Sequence, residues 1–281
     1  MSLMSTKRAA LVALALALLA AGLAYLLWPG RPAAPPIVAE APQAVTPAPA
    51  PASAQPPAAA ASAVRHPIEP APDGEPLPPV AEAGRAVADA LETLLGRGDL
   101  LRFLRPEGFV RHAVASVDAL GREHAAPRLW PVVPTPGRFS TAAQDGTVRI
   151  ATANAARYEP FVRFAVAIDP ARAAAFYRRF HPWFQQAYED LGYPGRPFND
   201  RLVEVIDLLL QTPEPADAPA VTLTEVKGPI EPRQPWLHQR FADPALEARP
   251  AGQKILLRMG AEHTRALKAQ LAAFRAEIAT P

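Results

Sequence analysis

Asp200, Glu204 and Asp207 recur at i, i+4 and i+7, a spacing that sets three carboxylates on one face of a helix. Hydrolysis of a sugar bond uses two carboxyls in different environments, one of them kept protonated by burial. Here the three lie opposite the apolar stripe of Leu202, Ile206 and Leu209, so the pattern predicts a solvated face rather than a catalytic pair. Other reactive sets are missing. The chain has no Cys, which excludes thiol nucleophiles, disulfides, Cys-ligated zinc and a lipidated N-terminal cysteine. From residue 80 onwards the serines are Ser116 and Ser140, and neither sits in a nucleophile elbow. His112, His124, His181, His238 and His263 are scattered, with no partner at the three-to-five-residue spacing of a zinc site. Gly96-Arg97-Gly98 lacks the rest of a phosphate-cradling fingerprint. No catalytic, cofactor-binding or metal-ligating residue is assigned, and no cofactor is expected.

Binding chemistry is better represented, between His181 and Arg201. Pro182 interrupts a long aromatic helical pattern, where it removes a backbone bond and predicts a kink or a break. Gly192-Tyr193-Pro194-Gly195 reads as a tight turn that displays Tyr193 between two helices. Asn199, Asp200 and Arg201 open the next helix, where unpaired backbone N–H groups can receive an acceptor. The candidate interaction surface is therefore His181, Trp183, Tyr188, Tyr193, Asn199, Asp200 and Arg201. The plainer reading makes Asn199 or Asp200 an N-cap and Trp183 part of the core.

The elements that must position these residues are mostly helices. Apolar spacings of three and four mark Val87 to Leu95, Val110 to Leu120 and Phe161 to Ile168. Asp169-Pro170 reads as an N-cap followed by proline at the first helical position, and Gly192 as the stop. Within that span Phe176, Phe180, Phe184, Ala187 and Leu191 share one arc, with Tyr177 and Tyr188 on one flank and Trp183 on the other. Further helices are expected from Phe198 to Leu210, over Lys254 to Met259, and through Leu267, Leu271, Phe274 and Ile278, with Asp243-Pro244 capping a short turn in a region read as helical from Phe241. Strand signals are few: a hairpin around Gln144-Asp145-Gly146 and a weak alternation from Val221 to Val226.

Upstream the composition changes. Of 281 residues, 35 are Pro, and 16 of these lie in residues 29–79 beside 15 Ala and six charges. Such a segment has little to bury and is expected to be disordered with polyproline II bias. Ala9 to Trp28 is an uncharged run of 20 residues, about 30 Å as a helix, enough to cross a bilayer. Lys7 and Arg8 before it, with only Arg31 close behind, favour the N-terminus inside. The run reads as a retained anchor; a cleaved signal, with Gly22 and Ala24 as small residues near a cleavage point, is the competing reading. The expected organisation is a cytoplasmic N-terminus over 1–8, a transmembrane anchor over 9–28, a linker over 29–79 and a folded domain over 80–281. The fold class is mainly α: a helical domain with a small β-hairpin. With 29 Lys+Arg against 27 Asp+Glu, a dedicated nucleic-acid role is not expected.

YRRFHPWFQQAYEDLGYPGRPFNDRLVEVIDLLLQTP over 177–213 and FADPALEARPAGQKILLRMG over 241–260 resemble the domain-of-unknown-function family 3014. The stretch RPEGFVRHAVASVDAL over 105–120 resembles it too. The resemblance implies single-pass envelope proteins of Gram-negative bacteria, each with an anchor, a Pro/Ala linker and one C-terminal domain. It brings no assigned activity, so no site residue carries over. Where the resemblance leads one to expect Tyr, this chain has His181. The expected function is a membrane-tethered periplasmic interaction or scaffold module at the inner membrane. Its partner would be an envelope protein or cell-wall component. The alternative is a cell-envelope hydrolase using unrecognised carboxylates.

Overall fold

The computed structural model describes residues 63–69, 77–78, 82–224 and 239–280, all within one compact unit, Pro56–Pro281. The expected anchor over 9–28 and the linker up to residue 62 lie outside the described residues. Among the described residues no helix is long and apolar enough to cross a membrane.

The expectation of a mainly helical fold with a small hairpin holds. The helices are α1 (Ala83–Leu95), α2 (Arg97–Phe103), α3 (Phe109–Leu120), α4 (Ala153–Ala156), α5 (Glu159–Ala167), α6 (Pro170–Asp190), α7 (Phe198–Leu210), α8 (Pro244–Glu247), α9 (Ala251–Met259) and α10 (Ala261–Ile278). Strands β1 (Thr141–Gln144) and β2 (Thr147–Ile150) form the hairpin, with Gln144 opposite Thr147. Asp145 and Gly146 both have positive φ, 51° and 73°, the two-residue turn whose twist suits paired strands. A second antiparallel pair joins β3 (Val221–Leu223) to β4 (Gln239–Phe241). Phe241, expected to open a helical region, instead closes β4. Helix α2 was not expected, and α9 begins three residues before Lys254.

Helix α6 lies at the centre, packed by α1, α3, α7 and α10. Asp169 caps it by accepting the Arg172 N–H at 2.8 Å, and Pro170 fits the first turn because its missing N–H would be unpaired there anyway. Of the kink or break expected at Pro182, the break does not occur: the helix runs unbroken from Pro170 to Asp190. Neighbours packed along its length over-determine its path. The buried face also differs from the expected arc. Tyr177, Phe180, Phe184, Ala187 and Tyr188 are buried, whereas Leu191 is exposed. Packing from several directions draws the two flanking tyrosines into the core, and Leu191 falls past the last turn.

Residues 63–69, inside the expected linker, dock on the body. Ile68 packs against the main core, as does Leu77.

Candidate functional site

Helix α7 begins where three parts of the chain meet. Its first N–H, on Phe198, is capped from α6: Gln185 Oε1 accepts it at 2.7 Å. The Gln185 amide then donates to Glu189 and to the Arg196 carbonyl, both at 2.8 Å. An orphan helix donor is thereby satisfied by a neighbouring helix rather than by its own N-cap, Pro197.

On one side of this start sits Asp118 of α3, a buried carboxylate. Arg122, one turn later, approaches it at 2.6 Å. Arg201 reaches over from α7, with Nη2 at 3.4 Å from the Asp118 carboxylate and donating to the Asp118 carbonyl at 3.1 Å. The other Arg201 nitrogen donates to Glu204 at 2.9 Å. Tyr193 donates its hydroxyl to Asp118 at 3.3 Å and accepts from Arg122. Its ring stacks on Tyr188, centroids 4.5 Å apart and planes 20° from parallel. Asp118, more than any other group, holds the Arg122 guanidinium above its ordinary pKa. Burial, then the charge of Asp118, raises the Tyr188 phenol. Gly121 makes the crossing possible: a Cβ there would stand 2.7 Å from Arg201 Nη2.

On the other side lies Asn199, which is 2% exposed. Its Oδ1 accepts from the Tyr177 hydroxyl at 3.2 Å, and its Nδ2 donates to the Ile278 carbonyl at 2.9 Å and the His66 carbonyl at 2.8 Å. Asp200 beside it accepts the backbone N–H groups of Arg65 at 3.0 Å and His66 at 2.8 Å. Thr280 N–H donates to His66 Nδ1 at 3.2 Å. Burial pushes the Tyr177 phenol well above its ordinary pKa, so it stays a protonated donor. The N-terminal segment, the start of α7 and the C-terminus are tied together here.

The seven residues singled out in the sequence therefore separate. Tyr188, Tyr193 and Arg201 gather around Asp118, while Asn199 and Asp200 form the second cluster. His181 stands edge-on to Tyr177 with centroids 5.5 Å apart, and Trp183 stacks on Phe180 at 5.3 Å. Asp200 is 8% exposed, which corrects the expectation of a solvated carboxylate face. Asp207 is held by Arg275, whose Nη2 donates at 3.1 Å, and only Glu204 of the three is exposed. Asp200 turns inward because N–H groups from residues 65 and 66 meet it there, while Asp207 stays partly exposed beside Arg275. Asp118, Arg122, Tyr177, Gln185 and His66 were not singled out in the sequence. The i, i+4 spacing of Asp118 and Arg122 was a readable signal; nothing local marks the other three.

A cleft of about 250 Å³ lies elsewhere, between α10 and the loop over 213–219, with Pro213, Pro215, Leu257 and Met259 in its wall. Asp217 and Glu262 line it, and both are exposed. Among the described residues no group of acidic or histidine side chains is placed to hold a metal ion. An aromatic cluster occupies a third place: Phe103 stacks on Phe164 at 4.5 Å and meets Phe161 edge-on at 6.4 Å. Leu101 on α2 and Val166 on α5, the two helices that carry this cluster, are exposed, as is Val133, whose N–H bonds the Phe103 carbonyl.

A family model described as protein of unknown function (DUF3014) matches residues 109–275, more than half of the chain. No curated protein and no solved structure matches it.

Proposed function

The chain belongs to the family described as protein of unknown function (DUF3014), and from that premise we propose that it is a membrane-tethered interaction or scaffold module. In this reading residues 9–28 anchor it in the inner membrane of a bacterial envelope. The Pro/Ala-rich segment spaces the body from the bilayer, and the helical domain works in the periplasm on an envelope protein or cell-wall component. The observation that carries the tether is the uncharged run Ala9 to Trp28 behind Lys7 and Arg8. The interaction role draws support from Leu101, 57% exposed on α2, and Val166, exposed on α5, the two helices that carry Phe103, Phe161 and Phe164. Exposed apolar side chains such as these can serve a protein partner. Of the polar residues singled out, Tyr193 and Arg201 meet Asp118, and Asn199 and Asp200 bond residues 65 and 66.

The test is photocrosslinking in cells from a crosslinking residue placed at Leu101 or Val166, set against one at Arg85 on α1. The proposal expects a discrete crosslinked partner from the first two positions and none from the third. Equal, diffuse crosslinking from all three counts against it. The hydrolase reading would place its carboxylates in the cleft; loss of an envelope phenotype in Asp217→Asn and Glu262→Gln, with the crosslinks intact, would favour that reading.

A further inference from the structure

Residues 63–69 and the surface that holds them differ sharply in burial. Val64 is 53% exposed and the Arg65 side chain 65% exposed, and no residue of the segment is buried. The residues that grip it are the reverse: Tyr177, Asn199, Asp200 and Ile278 are all buried. Of its side chains, Ile68 packs against the main core. Its contacts to Asn199 and Asp200 are mostly main chain. The two successive N–H groups of Arg65 and His66 go to the two oxygens of Asp200, and the following carbonyl, on His66, goes to the Asn199 amide. The Arg65 side chain adds a looser contact, Nε to Asp200 at 3.9 Å. His66 Nδ1 adds a polar side-chain contact with Thr280 N–H.

The gripping side is set without the segment. Asn199 is oriented by the Tyr177 hydroxyl on one atom and the Ile278 carbonyl on the other, both from the body. Asp200 sits in the first turn of α7, where the helix dipole favours a negative charge. A carboxylate and an amide held side by side in this way match the N–H, N–H, C=O sequence of a bent main chain: residues 65 and 66 form a bend, which turns two successive N–H groups to one carboxylate where an extended chain would point them to opposite sides. Such recognition reads backbone and is tolerant of side chains. A receptor whose groups are fixed beforehand loses little freedom when the ligand arrives.

We propose that the notch formed by Asn199, Asp200 and the C-terminal residues 278–280 is a peptide-binding site for a main chain bent as residues 65 and 66 are, and that residues 63–69 occupy it as a removable internal ligand. The inference goes beyond the tethered-module reading and does not depend on it. The internal segment competes with any outside peptide at a high effective concentration, so the site is blocked in the resting chain. Release of the segment opens it.

The experiment uses the full chain in detergent and a fluorescent peptide of residues 60–70. In the receptor, Arg65→Pro with His66→Pro removes both N–H donors of the internal segment. Peptide anisotropy is expected to rise saturably with this variant and to show at least tenfold weaker binding to the unmodified chain. A peptide carrying the same two prolines should not bind. Absence of saturable binding to the variant, or equal binding of the proline peptide, overturns the proposal. Hydrogen exchange on the unmodified chain supplies an independent reading. The amides of Arg65 and His66 should be at least a hundredfold less protected than that of Phe180, because a removable segment opens without global unfolding. Equal protection means that the segment is an integral part of the fold and overturns the proposal.

Discussion

Arg201 crosses from α7 to the end of α3 and closes on Asp118, whose side chain is 9% exposed. Removing it leaves a nearly buried carboxylate with Arg122 and Tyr193 as its remaining charged and polar partners. Arg201→Ala is expected to lower stability by about 1–3 kcal/mol, and Tyr193→Ala by a similar amount through the lost Tyr188 stack, both measured by denaturant unfolding. Unchanged midpoints would mean that the cluster faces solvent and is free for a partner. His181 makes a second test at this scale. Its Nε2 is buried with no hydrogen-bond partner among the described residues, and burial lowers its pKa. The folded state therefore favours the neutral ring, while the unfolded chain protonates near the ordinary value of about 6.5. Stability from this residue is intact above that pH and is lost as pH falls below it. His181→Phe should be neutral or stabilising at pH 7 and should flatten the fall in Tm between pH 7 and pH 5 relative to the unmodified chain. Of these residues, Arg201, Tyr193 and His181 were legible in the sequence as unusual, but their role was not. Whether an arginine meets solvent or a carboxylate 83 positions away depends on tertiary packing that no local pattern encodes.

Among the elements, α9 passes the end of α3 and α7 at Gly252. A Cβ there would stand 2.5 Å from Leu209 Cδ2 and 3.1 Å from the Leu120 carbonyl. Gly252→Ala is expected to cost about 1–3 kcal/mol by overpacking. Gly84→Ala in α1, where nothing lies within 4 Å of the new Cβ, is expected to stabilise by a few tenths to about 1 kcal/mol through helix propensity. The opposite order in thermal unfolding would contradict the packing described here. Long helices were readable because caps and periodicity agreed: Asp169-Pro170 at the start of α6, and the apolar spacing of Val110 to Leu120 in α3. Helix α2 escaped notice because it is seven residues long and contains Gly98. Strand β4 escaped because three residues carry no alternation, and its partner β3 lies many residues upstream. Pro182 does not interrupt α6 because packing by neighbouring helices, which local sequence does not show, offsets the lost backbone bond.

At the scale of the whole molecule, the account joins a described helical body to a proposed membrane tether, with residues 63–69 as the point where the tether meets the body. Composition made the Pro/Ala-rich stretch legible as a distinct region. The bonds that residues 65 and 66 make could not be read, because they use backbone groups that every residue possesses. The tethered-module reading requires that the body lie outside the cytoplasm. Because the chain has no Cys, a single introduced thiol reports its own location. Arg85→Cys suits the purpose, since the Arg85 side chain is 89% exposed on α1. With a membrane-impermeant maleimide added to intact spheroplasts, the account predicts labelling of this cysteine to the same extent before and after lysis. Labelling that appears only after lysis would place the body in the cytoplasm and contradict the account.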